Sequence, residues 1–195
     1  TLKIKGIGYN YIFGYDKNYK GKVEFFENDY YPNKIYINGN KQDIINNSYL
    51  FNQTDNYVEL IWDNSITNCT NMFRKCSNIT LINLSDFNTS QVTSMEYMFY
   101  GCSLLTLLNL SNFDTSRVTS MEYIFYGCSS LNSINLSNFN TSQVTNMYHM
   151  FNNCSSLMLL DLSNFDTSKV TTMSSMFYDC SKLLKLQDLK KDSHF

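Results

Sequence analysis

Alanine is absent from the 195 residues, proline occurs once, at Pro32, and only 16% of residues are charged. Each scarcity excludes something. A formal charge of -2 and a pI near 5.6, with no clustered Lys or Arg, argue against nucleic-acid binding, which needs many cations to neutralise phosphates. No apolar run approaches the roughly 18 residues of a membrane span, so none is expected. The two histidines, His149 and His194, supply no Ser-His-acid or Cys-His set, and Gly6-x-Gly8 followed by Gly14 lacks the strings of a phosphate loop. No enzyme activity and no cofactor are expected. The chain opens at Thr1 without a signal-like segment, so any targeting peptide is expected to have been removed or left out, and secretion stays open. What is present is aromatic and polar but uncharged: fourteen Phe, fifteen Tyr, nine Met and six Cys beside abundant Asn, Ser and Thr. That is too aromatic for a disordered chain, and the length suits one domain or a short array of small units.

An internal repeat decides between these. Cys76, Cys102, Cys128, Cys154 and Cys180 recur at a constant interval of twenty-six. The stretch Leu110-Ser-Asn-Phe-Asp-Thr-Ser-Arg-Val-Thr-Ser-Met recurs almost unchanged from Leu136 and Leu162, with a close variant from Leu84. Columns of Phe, Val and Met follow, and Val58, Ile61, Ile66 and Cys69 fit a degenerate first copy. Residues 81–85 alternate with Ile82 and Leu84 inward, which predicts a short strand. Met95, Met98, Phe99 and Cys102, spaced i, i+3, i+4, i+7, predict a helix of about two turns. Thr93 with Glu96, and Thr119 with Glu122, fit capping boxes at its start. Gly101, Gly127 and Asn153, and less well Asp179, suit a left-handed exit. One such unit cannot bury its own apolar face, but a stack can. The expected fold is therefore an α/β repeat solenoid over 58–186, about five coils, each a short parallel strand plus a short helix. Residues 1–57, with nine of the fifteen tyrosines, form a β-rich N-terminal cap or a separate module. Strands are expected at 22–26 and around an Asn38-Gly39 hairpin turn. Residues 187–195 form a polar C-terminal cap.

The string Cys102-Ser-x-Leu-x-x-Leu-x-Leu-Ser-x-Phe-Asp-Thr-Ser-x-Val-Thr-x-Met-x-x-x-Phe resembles the repeat of BspA-like leucine-rich-repeat surface proteins, over roughly two-thirds of the chain. The resemblance implies right-handed leucine-rich-repeat coils, a cell-surface or secreted location, and a role in adhesion or host contact. It brings no catalytic residues.

Candidate sites follow from the columns. The cysteines lack the close paired spacings of metal sites. Stacked equivalents point the same way, which suits neither a metal nor a disulfide, so buried inert thiols are expected. Thr89, Thr115, Thr141 and Thr167 form one ladder, and Thr93, Thr119, Thr145 and Thr171 another. Regular threonines on a flat face suit ice binding; against it stand helix capping by the second ladder and Asx-turns at Asn88, Asp114, Asn140 and Asp166 beside the first. The strand face is the stronger candidate. Its outward columns hold Leu81, Leu107 and Leu159, with Ser133 among them; Asn83, Asn109, Asn135 and Asp161; and Ser85, Ser111, Ser137 and Ser163. Outward leucines suggest a binding patch, or a surface covered by cap residues. Tyr97, Tyr100, Tyr123 and Tyr126 form a secondary aromatic patch that serves an interface or packs coil on coil. Ten Asn-x-Ser/Thr sequons occur, of which Asn46 and Asn52 are the better acceptors. The expected function is a non-catalytic surface or secreted scaffold for contact with a protein or glycan ligand. The alternative is a coat or filament subunit that self-associates by coil-to-coil packing.

Overall fold

A computed structural model of the chain describes residues 1–14, 31–44 and 47–187. The expectations for 22–26, for Asn46 and for the tail from 188 onward lie outside the described residues. The strands are β1 (Leu2–Lys5), β2 (Gly8–Tyr11), β3 (Lys34–Ile37), β4 (Asn40–Gln42), β5 (Ser48–Phe51), β6 (Asp55–Ile61), β7 (Ile79–Asn83), β8 (Leu107–Asn109), β9 (Leu159–Asp161) and β10 (Lys185–Gln187). Alternation makes the N-terminal ones: Ile35 and Ile37 point in from β3, and Asn56 and Val58 from β6, with polar or exposed neighbours between them. Asn38 and Gly39 sit at φ 50° and 80° and close the β3–β4 hairpin. One sheet runs β4-β3-β6-β1-β7-β8. In it β1 lies antiparallel to both β6 and β7, so β1, β3, β4 and β6 share one sheet with the repeats, while β2 and β5 form a separate antiparallel pair, and all pack around one buried cluster. At the head of the stack Gly14 N–H donates to Met72 O at 2.7 Å, and a Cβ on Gly14 would overlap Asn71 O. Only glycine lets the chain approach so closely.

From β7 onward the chain coils on itself once per repeat. Leu81 pairs with Leu107 and Asn83 with Asn109 in the parallel β7–β8 ladder, Ser133 bridges to Leu159, and β9 pairs parallel with β10. Inside, each inward column stacks on its copies. Phe73, Phe99, Phe125, Phe151 and Phe177 lie ring over ring at 5.3–5.8 Å.

The helix expected in each coil does not form. No helix exists among the described residues, and the α/β class with a helix per repeat is overturned in favour of strands and turns. Met95, Met98, Phe99 and Cys102 do all face the core, so the spacing identified the buried face correctly. The backbone reaches it differently. Met98 and Cys102 make local i to i−3 bonds, while Met95, Tyr97, Phe99 and Gly101 N–H donate to Ser120, Glu122, Ile124 and Tyr126 O of the next coil. Alternate peptide planes thus point along the stack. Positive φ at Tyr97 (56°) and Gly101 (70°) makes this possible and is incompatible with a right-handed helix. The physical reason is thickness. A helix with side chains is about 10 Å across, whereas the strand side of the stack repeats at about 4.8 Å. Phe73, Phe99 and Phe125 stack at 5.7 Å, so the turn side keeps nearly that rise, and helices would wedge the coils open.

The capping boxes fail with the helix. Thr93 and Thr119 are exposed and extend a backbone ladder, Thr93 N–H to Thr67 O and Thr119 N–H to Thr93 O. The turn entrance is instead capped two residues on by Asn68, Ser94, Ser120 and Asn146, as in Tyr148 N–H to Asn146 Oδ1 at 2.9 Å. The other ladder is interior: Thr89, Thr115 and Thr141 are buried. Each hydroxyl there bridges to the following coil, Thr115 Oγ1 accepting from Asn140 N–H (2.8 Å) and donating to Asn140 O (2.9 Å). A face built from that ladder is not available to ice. The Asx-turns do form, at Asn88, Asp114, Asn140 and Asp166.

Candidate functional site

The strand face divides into what the backbone uses and what is left over. The Asn column is largely used. Asn83, Asn109, Asn135 and Asp161 each accept the N–H two residues on, from Ser85, Ser111, Ser137 and Ser163, at 2.9–3.1 Å. Asn109 Nδ2 also donates to Asn83 Oδ1 at 2.9 Å. These hydrogen bonds from Ser163 hold the Asp161 carboxyl below the usual carboxylate range, as those from Ser116 do for Asp114. The polar stripes therefore build a stiff surface whose side chains have fixed directions.

The leucine column is left over, except at its head. Leu81 is half-buried, because Lys3 of β1 pairs beside it. Leu107 and Leu159 remain 62% and 58% exposed. Neighbouring columns add exposed Leu104, Met158 and Leu184, which the sequence columns did not single out as ligand contacts. The available signal was that each is apolar in a column otherwise mainly polar, such as Thr80, Thr106 and Asn132 ahead of Met158. Within the coils the exposed Leu and Met side chains thus fall in two groups. Leu104 and Leu107 lie in one coil, and Met158, Leu159 and Leu184 lie toward the tail, with the polar coil of Asn132, Ser133 and Asn135 between.

The aromatic patch is consumed by packing. Tyr97, Tyr123 and His149 stack at 4.8 Å, Tyr100 and Tyr126 at 4.7 Å, and the Arg74 guanidinium sits 5.0 Å from both Tyr97 and Tyr100. Tyr97 O–H donates to Glu122 Oε1 at 3.2 Å. Burial, then the Glu122 charge, push the Tyr97 phenol up; burial and the Tyr148 hydroxyl push Tyr123 up to about 12. The ring faces are spent on one another; Tyr97, Tyr123 and His149 sit at positive φ, a conformation rare for such residues, as do Asn71 and Ser175 in the same column.

The cysteine column is chemically quiet in this geometry. Five thiols are buried and Cys180 is half-buried. Cys102, Cys128, Cys154 and Cys180 Sγ each lie 3.0–3.2 Å from the carbonyl oxygen of Phe73, Phe99, Phe125 and Phe151 respectively, and donate to it. Burial pushes every one of these thiols up, Cys69 to about 12. Thiolates, the nucleophiles and metal ligands, are therefore disfavoured. No helix among the described residues is long and apolar enough to cross a membrane.

Two stretches of the chain, residues 23–108 and 105–193, match the model of a family described as Mycoplasma protein of unknown function, DUF285. No curated protein and no solved structure matches the chain. The two matched stretches together cover most of the 195 residues and meet inside the coil stack: the chain belongs to the DUF285 family.

Proposed function

We propose that this protein is a non-catalytic contact protein, at the cell surface or secreted, that presents its strand face to a protein or glycan ligand. The observation that carries this is Leu107 and Leu159, well exposed beside Asn and Asp side chains locked in Asx-turns. A rigid amphipathic face loses little conformational entropy on binding, and exposed leucines on a soluble face mark contact sites. The resemblance to BspA-like surface proteins rests on the recurring Phe-Asp/Asn-Thr-Ser-x-Val-Thr-x-Met string and supports the proposed location. Leu81 drops out of the contact set, being half-covered by β1. The test is adhesion of beads coated with the protein to cells and matrix from its native environment. Leu107→Asp with Leu159→Asp should leave the melting curve in place and abolish adhesion. Adhesion by the folded double variant overturns the strand-face assignment.

The second reading, assembly by coil-to-coil packing, has one observation in its favour. Each inner coil donates four N–H groups to the next, but the equivalents in the last coil, at Met173, Ser175, Phe177 and Asp179, have no backbone acceptor among the described residues. Against it, Gly14 already occupies Met72 O at the head, so like-on-like stacking meets a closed end. A concentration-dependent polymer in light scattering favours assembly; a dilute monomer favours contact.

A further inference from the structure

The exposed apolar groups of the strand face are arranged symmetrically about one coil. Leu104 and Leu107 lie one coil before Ser133, and Met158 and Leu159 lie one coil after it; all four are exposed. At a rise of about 4.8 Å per coil, Leu107 and Leu159 stand about 10 Å apart along the stack. The coil between them presents Asn132, Ser133 and Asn135, all exposed and none charged. The side chains of Asn132 and Ser133 make no hydrogen bond among the described residues, and Asn135 commits only its Oδ1, to Ser137 N–H. An amide or hydroxyl can both donate and accept.

This pattern is complementary to itself. A second copy can be turned over about a two-fold axis that lies in the face, parallel to the strands and above Ser133. Its Met158 and Leu159 then meet Leu104 and Leu107 of the first copy, its Leu104 and Leu107 meet Met158 and Leu159, and the two polar coils meet each other. Groups on a two-fold axis face their own copies, which suits amides and hydroxyls and would exclude a charge. Asp161, the charged residue beside Leu159, lies off the axis and comes opposite Asn109 of its partner. Asn109 donates one amide hydrogen to Asn83 Oδ1 and keeps the other for that carboxylate. An axis along the stack would instead turn the Asp161 carboxylate toward Met158 of the partner and desolvate it there, so charge selects the first arrangement.

We propose that the strand face binds a second copy of this chain as a two-fold dimer, in which Leu107 packs on Leu159 of its partner across the shared Ser133 coil. The proposal rests on the reading of the strand face as a contact surface and names its partner. Symmetry closes such an interface, so association stops at two copies, unlike an open stack of coils. The apolar side chains are few, which places the dimer at the weak, transient end of interfaces, half-formed at roughly 100 μM. Copies crowded on opposed surfaces would engage together and hold far more tightly.

Sedimentation equilibrium on the intact protein, from about 10 μM to about 1 mM, brackets that affinity. Expected is a monomer–dimer equilibrium with no larger species, weakened about ten-fold or more by Leu107→Asp and by Leu159→Asp with the melting curve unchanged, since each sets a carboxylate against a leucine. Under mild oxidation Ser133→Cys should link to its own copy, and Leu107→Cys should link to Leu159→Cys when the two are mixed but neither to itself. The parent and Thr119→Cys, on the turn side, should stay unlinked. A monomer throughout the range, growth beyond the dimer, dimers indifferent to both aspartate variants, or Leu107→Cys linking mainly to itself overturns the proposal. Adhesion to cells that needs Leu107 and Leu159 while the protein stays monomeric keeps the contact surface and overturns the choice of partner. Dimers that need both leucines support the proposal even where the coated beads find no ligand on cells.

Discussion

Replacing Thr115 by valine removes one oxygen and keeps the shape. In the structure that oxygen accepts Asn140 N–H at 2.8 Å and donates to Asn140 O at 2.9 Å, so one buried hydroxyl satisfies two backbone groups of the next coil. Valine leaves both without partners. Each deserted buried group costs about 1–3 kcal/mol. Asn140 itself is exposed, and water recovers part of the loss, so about 2–3 kcal/mol in all is expected. For a chain of this size that lowers the melting temperature by about 5–10 °C. The control lies four residues away. Thr119 is exposed, and its hydroxyl donates to Thr93 O at 3.3 Å, a carbonyl that already accepts Thr119 N–H at 2.9 Å. Thr119→Val should stay within about 0.5 kcal/mol of the parent. Urea unfolding followed by circular dichroism compares the two. If Thr119→Val proves as damaging as Thr115→Val, the assignment of one threonine ladder to the interior and the other to the surface is wrong.

The buried thiols have folded pKa values above those of the unfolded chain, so their contribution to stability is complete below the ordinary thiol range, near pH 9, and is lost as pH rises from there toward about 12, where Cys69 titrates; a stability that is flat or rises across that window in alkaline melts contradicts the burial. In native labelling at neutral pH, half-buried Cys180 should react first, and the other five only as the chain opens. Asn138→Asp sets a carboxylate against the carbonyls of Leu110, Ser111 and Phe113 and should destabilise by about 2–3 kcal/mol at neutral pH, with part recovered on acidification as the carboxyl gains a proton to donate; a loss independent of pH would show that the side chain does not bridge the coils.

The inward columns were legible because burial is a property of spacing. Val92, Met95, Phe99 and Cys102 and most of their copies are buried as the pattern requires. The left-handed positions at Gly101, Gly127 and Asn153 were legible from residue type, as was the hairpin at Asn38-Gly39. Hidden were the second set of left-handed residues, Tyr97, Tyr123, His149 and Ser175, since nothing local favours that conformation in a tyrosine. The covering of Leu81 was equally hidden, because β1 lies far away in sequence and reaches it only through the antiparallel pairing of Lys3 with Leu81.

By itself, then, the sequence determined the period, the buried columns and the scarcity of histidine. The first two are set by which side chains avoid water, and copied residues avoid it in the same way in every coil. Only the tertiary structure decided where the backbone hydrogen bonds go. A spacing of i, i+3, i+4, i+7 serves a helix or a chain of alternating turns equally well, and the choice fell to the narrow rise between coils. Peptide groups that would have bonded along a helix instead bond across the stack, Phe99 N–H to Ile124 O and Phe125 N–H to Met150 O, because the partners are closer there than a helix would allow.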